Sequence, residues 1–228
     1  MTGAAALLCL VTDRRALTGA RTEAAEVAAL EAQCDEAIAA GIDYIQVREP
    51  DLGARLLVDL ARRLVARAHH ANTIVLINDR ADAARLSGAG IHLKSDGPPA
   101  ARVRAWFDAP VTVTRSAHHV REVADASNPD AFVFGTVFPS RSKPPGAPVT
   151  GLDGLAAAAG ATRAPVLAIG GITAANVLAC REAGSAGIAG IGIFLPRGSV
   201  PGALGPTAAI RALRAAWAGE GGYNTPAQ

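Results

Sequence analysis

The sequence predicts an α/β protein, a (β/α)8 barrel folded as one domain. Three observations carry this. Eight short apolar strand signals alternate with helical ones along the chain. The length, 228 residues, suits one barrel, a fold that often runs to roughly 200–250 residues. Glycine-bearing turns close the last two strands, in Ala168-Ile169-Gly170-Gly171-Ile172-Thr173 and in Ile188-Ala189-Gly190-Ile191-Gly192-Ile193-Phe194. The runner-up is a doubly wound open sheet. That fold would want a Gly-x-Gly-x-x-Gly turn after an early strand, whereas the first strand here ends in Thr12-Asp13-Arg14.

The elements follow in order. Residues 6–12 read as the first strand rather than a leader, because no basic run precedes the apolar stretch. Residues 22–40 are rich in Ala and Glu at helical spacing and stop at Gly41. A strand over 44–47 precedes a helix over 52–68 with arginines on its outer face. A β-branched strand over 73–77 precedes a short helix over 81–86. Strands over 91–93 and 111–114 alternate with helices over 98–107 and 117–126. The sixth strand, 131–134, leads into a Pro/Gly/Ser segment, 139–151, read as a mobile loop over the site. A helix over 154–159, a strand over 165–168, a helix over 174–183 with Thr173 as its N-cap, a strand over 187–191 and a helix over 207–218 complete the pattern. The barrel is expected to occupy 1–218 and a loose tail 219–228.

Composition excludes several classes. Half the residues are hydrophobic and 18% are charged, which suits a globular chain and not a disordered one. A net charge of +2 and no basic stretch interleaved with aromatics argue against nucleic acid. The apolar runs are strand-sized, too short for a membrane span. Cys9, Cys34 and Cys180 are scattered, without metal-ligand or disulfide spacing, and read as core; the cytoplasm is the expected location.

In a barrel of this kind the chemistry sits on the loops after the strands. Those positions collect Asp13; Gln46, Arg48 and Glu49; Asn78 and Asp79; Lys94, Ser95 and Asp96; Arg115, Ser116, His118 and His119; and Ser140, Arg141, Ser142 and Lys143. His118 is the candidate proton carrier, since imidazole titrates near neutrality. Gln46 and Asn78 can hydrogen-bond a ring, or serve as polar filler. Arg48 either holds a ligand or pairs with its neighbour Glu49. Asp79 is either a Mg²⁺ ligand or a partner for Arg80 or Arg115. Ser116, Ser140, Ser142 and Lys143 are expected to meet substrate. Gly170, Gly171, Ile191 and Gly192 form the expected phosphate grip, where glycine lets backbone N–H groups approach an anion. His92 reads as a satisfied residue at a strand end, and Trp106 and Trp217 as packing residues.

Val11-Thr12-Asp13, Gln46-Val47-Arg48-Glu49, Ile77-Asn78-Asp79-Arg80, Gly90-Ile91-His92-Leu93, Ser116-Ala117-His118, Gly135-Thr136-Val137-Phe138-Pro139, Ser142-Lys143 and 168–173 stand in one order along the chain. That order resembles the thiamin phosphate synthases and their TenI-type relatives, from Leu8 to Phe194. The resemblance implies a (β/α)8 barrel in thiamin biosynthesis, with a thiazole phosphate held by the last two glycine turns and a homodimer as an unsurprising assembly. It implies one of two chemistries. A synthase joins an aminopyrimidine-methyl pyrophosphate to the thiazole phosphate, expels pyrophosphate, and needs Mg²⁺ and a lysine. A tautomerase moves one proton within a thiazole carboxylate phosphate and needs no metal or other cofactor.

Two departures decide the reading made from sequence. Pro50 stands where the synthases carry a lysine, and Gly97 where, aligned without a gap, they carry a metal-binding aspartate. Arg115 before Ser116 and the run Val133-Phe134-Gly135 resemble the TenI side, whereas Asn78-Asp79 has the synthase form. The expectation is therefore a thiazole tautomerase, an isomerase without a metal site. A synthase using Asp79 with Asp96, and Arg48 or Lys94 in place of the lost lysine, is the alternative. A non-catalytic phosphate-binding regulator is the third.

Overall fold

Eight parallel strands pair in sequence order, and the last returns to the first to close the barrel. The computed structural model describes residues 5–17, 19, 22–124, 128–140, 143–144 and 146–220. The strands are β1 (Leu7–Val11), β2 (Tyr44–Val47), β3 (Ile74–Asn78), β4 (Gly90–Leu93), β5 (Val113–Ala117), β6 (Ala131–Gly135), β7 (Val166–Ile169) and β8 (Gly187–Gly190). The helices are α1 (Arg14–Leu17), α2 (Glu23–Ala39), α3 (Ala54–Ala68), α4 (Ala81–Ser87), α5 (Ala100–Arg104), α6 (Val120–Ala124), α7 (Gly151–Gly160), α8 (Val177–Glu182) and α9 (Pro206–Ala218). A 3-10 turn, Gly192–Phe194, follows β8.

Alternation along the strands makes two layers. Side chains pointing outward meet the helices in the main core, where Leu8, Leu10, Ile45, Phe132 and Phe134 pack on Leu30, Leu60 and Leu64. Those pointing inward fill the lumen, where Cys9, Val11, Ala131, Val133, Leu167 and Ala189 form a separate apolar cluster with Tyr44, Ile169 and Ile191 against it. All three cysteines are buried and free, as core residues would be. Burial pushes the Cys9 thiol up to about 12. Among the described residues no helix is long and apolar enough to cross a membrane.

Most elements fall within two or three residues of expectation, and the departures have physical causes. β5 runs over Val113–Ala117, displaced from 111–114, because Arg115 and Ser116 are ladder residues opposite Phe132 and Val133. Polar residues in a strand read as loop when a barrel lumen is polar on that side. α6 starts at Val120, not 117, and residues 125–126 of the expected helix lie outside the described residues. The helix expected over 98–107 shrinks to Ala100–Arg104, with Pro99 at its N-cap and i−3 bonds from the Trp106 and Phe107 N–H groups to Val103 and Arg104 past its end. Trp106, just past it, is 45% exposed and is not a packing residue, whereas Trp217 is buried. α8 begins one turn late, and Asn176, not Thr173, occupies its N-cap position. Gly219 and Glu220 close α9 through N–H bonds to Ala216 and Ala215; residues 221–228 of the expected tail lie outside the described residues.

Candidate active site

The strand C-termini bring most of the candidate side chains to one mouth. At β1 and β2, pairing with Glu49 was one of the two roles weighed for Arg48; the structure pairs Glu49 elsewhere. Thr12 Oγ1 donates to Glu49 Oε1 at 2.7 Å and accepts the Arg48 N–H at 3.0 Å. The Arg14 guanidinium, 2% exposed, lies 2.9 Å from Glu49, 2.6 Å from Asp51 and 3.1 Å from Glu26. Arg15 also reaches Asp51. Hydrogen bonding to Arg14 holds the Asp51 carboxyl down at about 2. Buried Glu49 is thereby tied down, and Arg48 is left exposed above it.

One side of the lumen is polar. Gln46 Nε2 donates to Asn78 Oδ1 at 2.9 Å, joining β2 to β3. His92, read as a strand-end residue, lies within β4 and is 2% exposed. Its Nδ1 is 2.8 Å from Thr114 Oγ1 and its Nε2 2.8 Å from Ser116 Oγ. Desolvation, with nearby Arg48 adding to it, pushes His92 down to about 3, so its imidazole is neutral. These polar groups face the apolar residues of β1, β6, β7 and β8 across the lumen.

Past β3 and β4, Asp79 meets Lys94 with Nζ to Oδ2 at 2.5 Å, and not Arg80 or Arg115 as weighed from sequence. Arg80 turns to Asp82. Arg115, 7% exposed, donates to three backbone oxygens of the β4–α5 loop, those of Pro98, Ser95 and Gly97, at 2.9, 2.8 and 2.6 Å. The loop that carries Lys94, Asp96 and Gly97 is thus hung from β5. The hydrogen bond that Lys94 donates to Asp79, then the charges of Asp79 and Asp96, raise the Lys94 ammonium pKa, while the Arg48 charge opposes this. Arg48 and Lys94 are both exposed at this mouth, Lys94 in its ion pair with Asp79.

His118 follows β5, with its ring Nδ1 2.6 Å from the Gly135 carbonyl. A carbonyl only accepts, so Nδ1 carries the proton, and Nε2 has no partner among the described residues. The adjacent His119 contributes its backbone N–H to Glu122. Beyond β6, Thr150 and Gly151 donate backbone N–H groups to Thr136 and Val137, which ties the C-terminal end of the 139–151 segment to the residues just after β6. Lys143 is exposed and its N–H donates to the Ser140 carbonyl, while Ser142 lies outside the described residues.

Gly170 and Gly171, with φ +101° and +65°, follow β7. A Cβ at Gly170 would sit 2.5 Å from Thr136 Cγ2, and one at Gly171 2.5 Å from the Pro139 oxygen. Glycine is needed for both reasons, conformation and room. Asn176 shapes this turn, with Oδ1 accepting the Thr173 N–H at 2.8 Å and Nδ2 donating to the Gly171 oxygen at 2.9 Å. Ile191 and Gly192 begin the 3-10 turn after β8 beside it. Thr12, Arg14 and Asn176 are the mouth residues not singled out from sequence. An asparagine a few residues past a Gly-Gly pair was the available signal for the last, since it makes local turns.

A closed barrel with a half-polar lumen and charged loops at its C-terminal rim has the architecture of a (β/α)8-barrel enzyme. The profile of the thiamine monophosphate synthase family matches residues 8–194. The chain is 39% identical over 189 residues to a thiamine-phosphate synthase of Anaeromyxobacter dehalogenans, covering 82% of each chain. It is 37% identical over 185 residues to a putative thiamine-phosphate synthase of Geobacter sulfurreducens, covering 80% of this chain and 83% of that one. The solved thiamine phosphate pyrophosphorylase of Pyrococcus furiosus superposes with a TM-score of 0.74 at 25% identity, over 92% of this chain and 94% of that one. The chain belongs to the thiamine monophosphate synthase family. The relatives named as synthases give no support to the tautomerase preference drawn from Pro50 and Gly97.

Mg²⁺, which this family implies, takes oxygen ligands and commonly only one or two carboxylates, with water and substrate phosphate completing its shell. Asp79, just past β3 and paired with Lys94, and exposed Asp96, on the loop after β4, are two carboxylates at the mouth, the number that sparse form needs. Among the described residues no group of three or more His, Cys, Asp and Glu side chains is arranged to hold a metal by itself.

Proposed function

We propose that this protein is a thiamine-phosphate synthase, a transferase that joins a pyrimidine-methyl pyrophosphate to a thiazole phosphate. The observation that carries this reading is that two exposed cations, Arg48 and Lys94, follow the C-terminal ends of β2 and β4 at one mouth. Two cations at one mouth suit an anion more highly charged than one phosphate. A departing pyrophosphate is such an anion, and a proton shift within a thiazole needs no such group. The synthase names of the relatives support the same choice.

In the reaction, a bond forms between the thiazole nitrogen and the pyrimidine methylene carbon as that carbon's bond to the pyrophosphate oxygen breaks. Gly170, Gly171, Ile191 and Gly192 hold the thiazole phosphate with backbone groups at the ends of β7 and β8. Gln46 and Asn78, already hydrogen-bonded to each other, present the amide edges that fix the pyrimidine. Arg48, Lys94 and Ser116 receive the pyrophosphate, and Lys94 does what a lysine at the position of Pro50 does in relatives. Mg²⁺ held by Asp79 and Asp96 would neutralise charge on the same leaving group. Ser140 and Lys143 cover the substrates from the segment after β6, excluding water from the reacting carbon.

The tautomerase is the second reading. It is favoured by Pro50, by Gly97 and by His118, whose Nδ1–H is held by the Gly135 carbonyl while Nε2 is open to take a proton. Incubating the protein with both synthase substrates and Mg²⁺ separates the two. The synthase yields thiamine phosphate and pyrophosphate in equal amounts. A chain that yields neither, yet aromatises the thiazole carboxylate phosphate in a His118-dependent way, is the tautomerase.

A further inference from the structure

His92 joins β4 to β5 through both ring nitrogens, to Thr114 through Nδ1 and to Ser116 through Nε2. A neutral imidazole has one N–H and one acceptor nitrogen, so the two contacts cannot be alike. Thr114 decides between them. Thr114 is 3% exposed, and the one described hydrogen-bond contact of its hydroxyl is His92 Nδ1. Were Nδ1 protonated, Thr114 would accept and its own hydroxyl proton would be buried without an acceptor, an arrangement folded proteins avoid. With Nδ1 as acceptor both groups are satisfied, and the ring proton sits on Nε2. That proton then points at Ser116 Oγ, 2.8 Å away.

The consequence falls on Ser116, which is half-buried at the mouth. Accepting from His92, Ser116 keeps its own O–H free to turn outward. In the other tautomer Ser116 would donate to Nε2 and show an arriving anion only lone pairs. We propose that His92, held as the Nε2–H tautomer by Thr114, is a positioning residue that aims the Ser116 hydroxyl proton at a pyrophosphate oxygen. The chain of donors runs Thr114, His92, Ser116, ligand, each bond polarising the next. It adds a donor to the site without adding a charge, which complements Arg48 and Lys94 and would also serve a phosphate ligand of the second reading. The role rests on the mouth being a phosphate-ester site, as proposed above.

The test is nitrogen NMR of the His92 ring in the full, ¹⁵N-labelled chain, with a calorimetric titration using inorganic pyrophosphate. The expected spectrum shows a protonated Nε2 and an unprotonated Nδ1. Thr114→Val is expected to remove the tautomer preference and weaken pyrophosphate binding about tenfold, and Thr114→Ser to restore both to within about threefold. A protonated Nδ1 in the wild type overturns the proposal. So does a Thr114→Val chain with unchanged tautomer and affinity, or a wild type that does not bind pyrophosphate. Should Thr114→Val fail to fold, the wild-type spectrum still decides. Neither readout needs turnover, so a chain that binds pyrophosphate with the expected tautomer but forms no thiamine phosphate refutes the synthase reading alone.

Discussion

Arg115 directs a buried guanidinium at three carbonyl oxygens, with no carboxylate within salt-bridge reach among the described residues. Its work is to hold the loop that carries Lys94 and Asp96. Arg115→Met leaves those carbonyls without donors and lets the loop sag. The variant is expected to melt several degrees lower and to raise KM for the pyrophosphate substrate about tenfold. Arg115→Lys recovers only part of this, because an ammonium cannot reproduce the planar fork. Calorimetry and initial rates check both. Asp51 carries a pH signature. Its carboxyl is held at about 2 in the folded protein, from an ordinary 3.8, by Arg14. The folded pKa is the lower, so the stabilisation is present above about pH 4 and lost as pH falls towards 2. Its carboxylate is about a third exposed, so solvent screens the effect and keeps it modest. Asp51→Asn should flatten that stretch of the stability–pH curve, as followed by denaturant unfolding between pH 5 and 2.

The elements show where sequence reading succeeds and where it stops. Helices such as α3, whose apolar stripe Leu57, Leu60, Ala61, Leu64 and Ala68 is regular, were legible to within two residues. β5 was legible as a strand but not in register, because Thr114 and Ser116 are polar residues facing a polar half-lumen. The β7 glycine turn was legible as a turn, while its clamp, Asn176, is set by tertiary shape. The Glu49 partner was not legible either. Arg14 lies 35 residues away in sequence, and nothing local distinguishes it from Arg15 or Arg48. The turn yields a paired test. Gly171→Ala puts a Cβ against the Pro139 oxygen at φ +65°, costing about 1–3 kcal/mol and weakening thiazole phosphate binding more than tenfold. Gly202→Ala, at φ +83° with open space around it, costs about 1 kcal/mol and leaves binding unchanged. Unfolding curves and a phosphate-ligand titration on both variants make the comparison.

At the scale of the whole molecule, the barrel separates stability from chemistry. The outer core between strands and helices supplies most of the apolar burial, so Phe134→Ala, at a side chain 1% exposed, should cost about 3–5 kcal/mol without changing KM in the folded fraction. The lumen supplies function, apolar on the side of β1, β6, β7 and β8 and hydrogen-bonding on the side of β2 to β5. The two phosphate-bearing substrates of the proposed synthase reaction would call for two rims. The glycine turns follow β7 and β8, whereas Arg48 and Lys94 follow β2 and β4. Pro50 in place of a lysine read from sequence as loss of the second rim; under the synthase reading proposed above, Arg48 or Lys94, the replacements weighed from sequence, would supply that cation. The most direct measurement is single-turnover pyrophosphate release, with both substrates and Mg²⁺, by the wild type and by Lys94→Met. The account predicts release by the wild type and a fall of about 10²-fold in the variant; undiminished release from Lys94→Met, or none from the wild type, would contradict it.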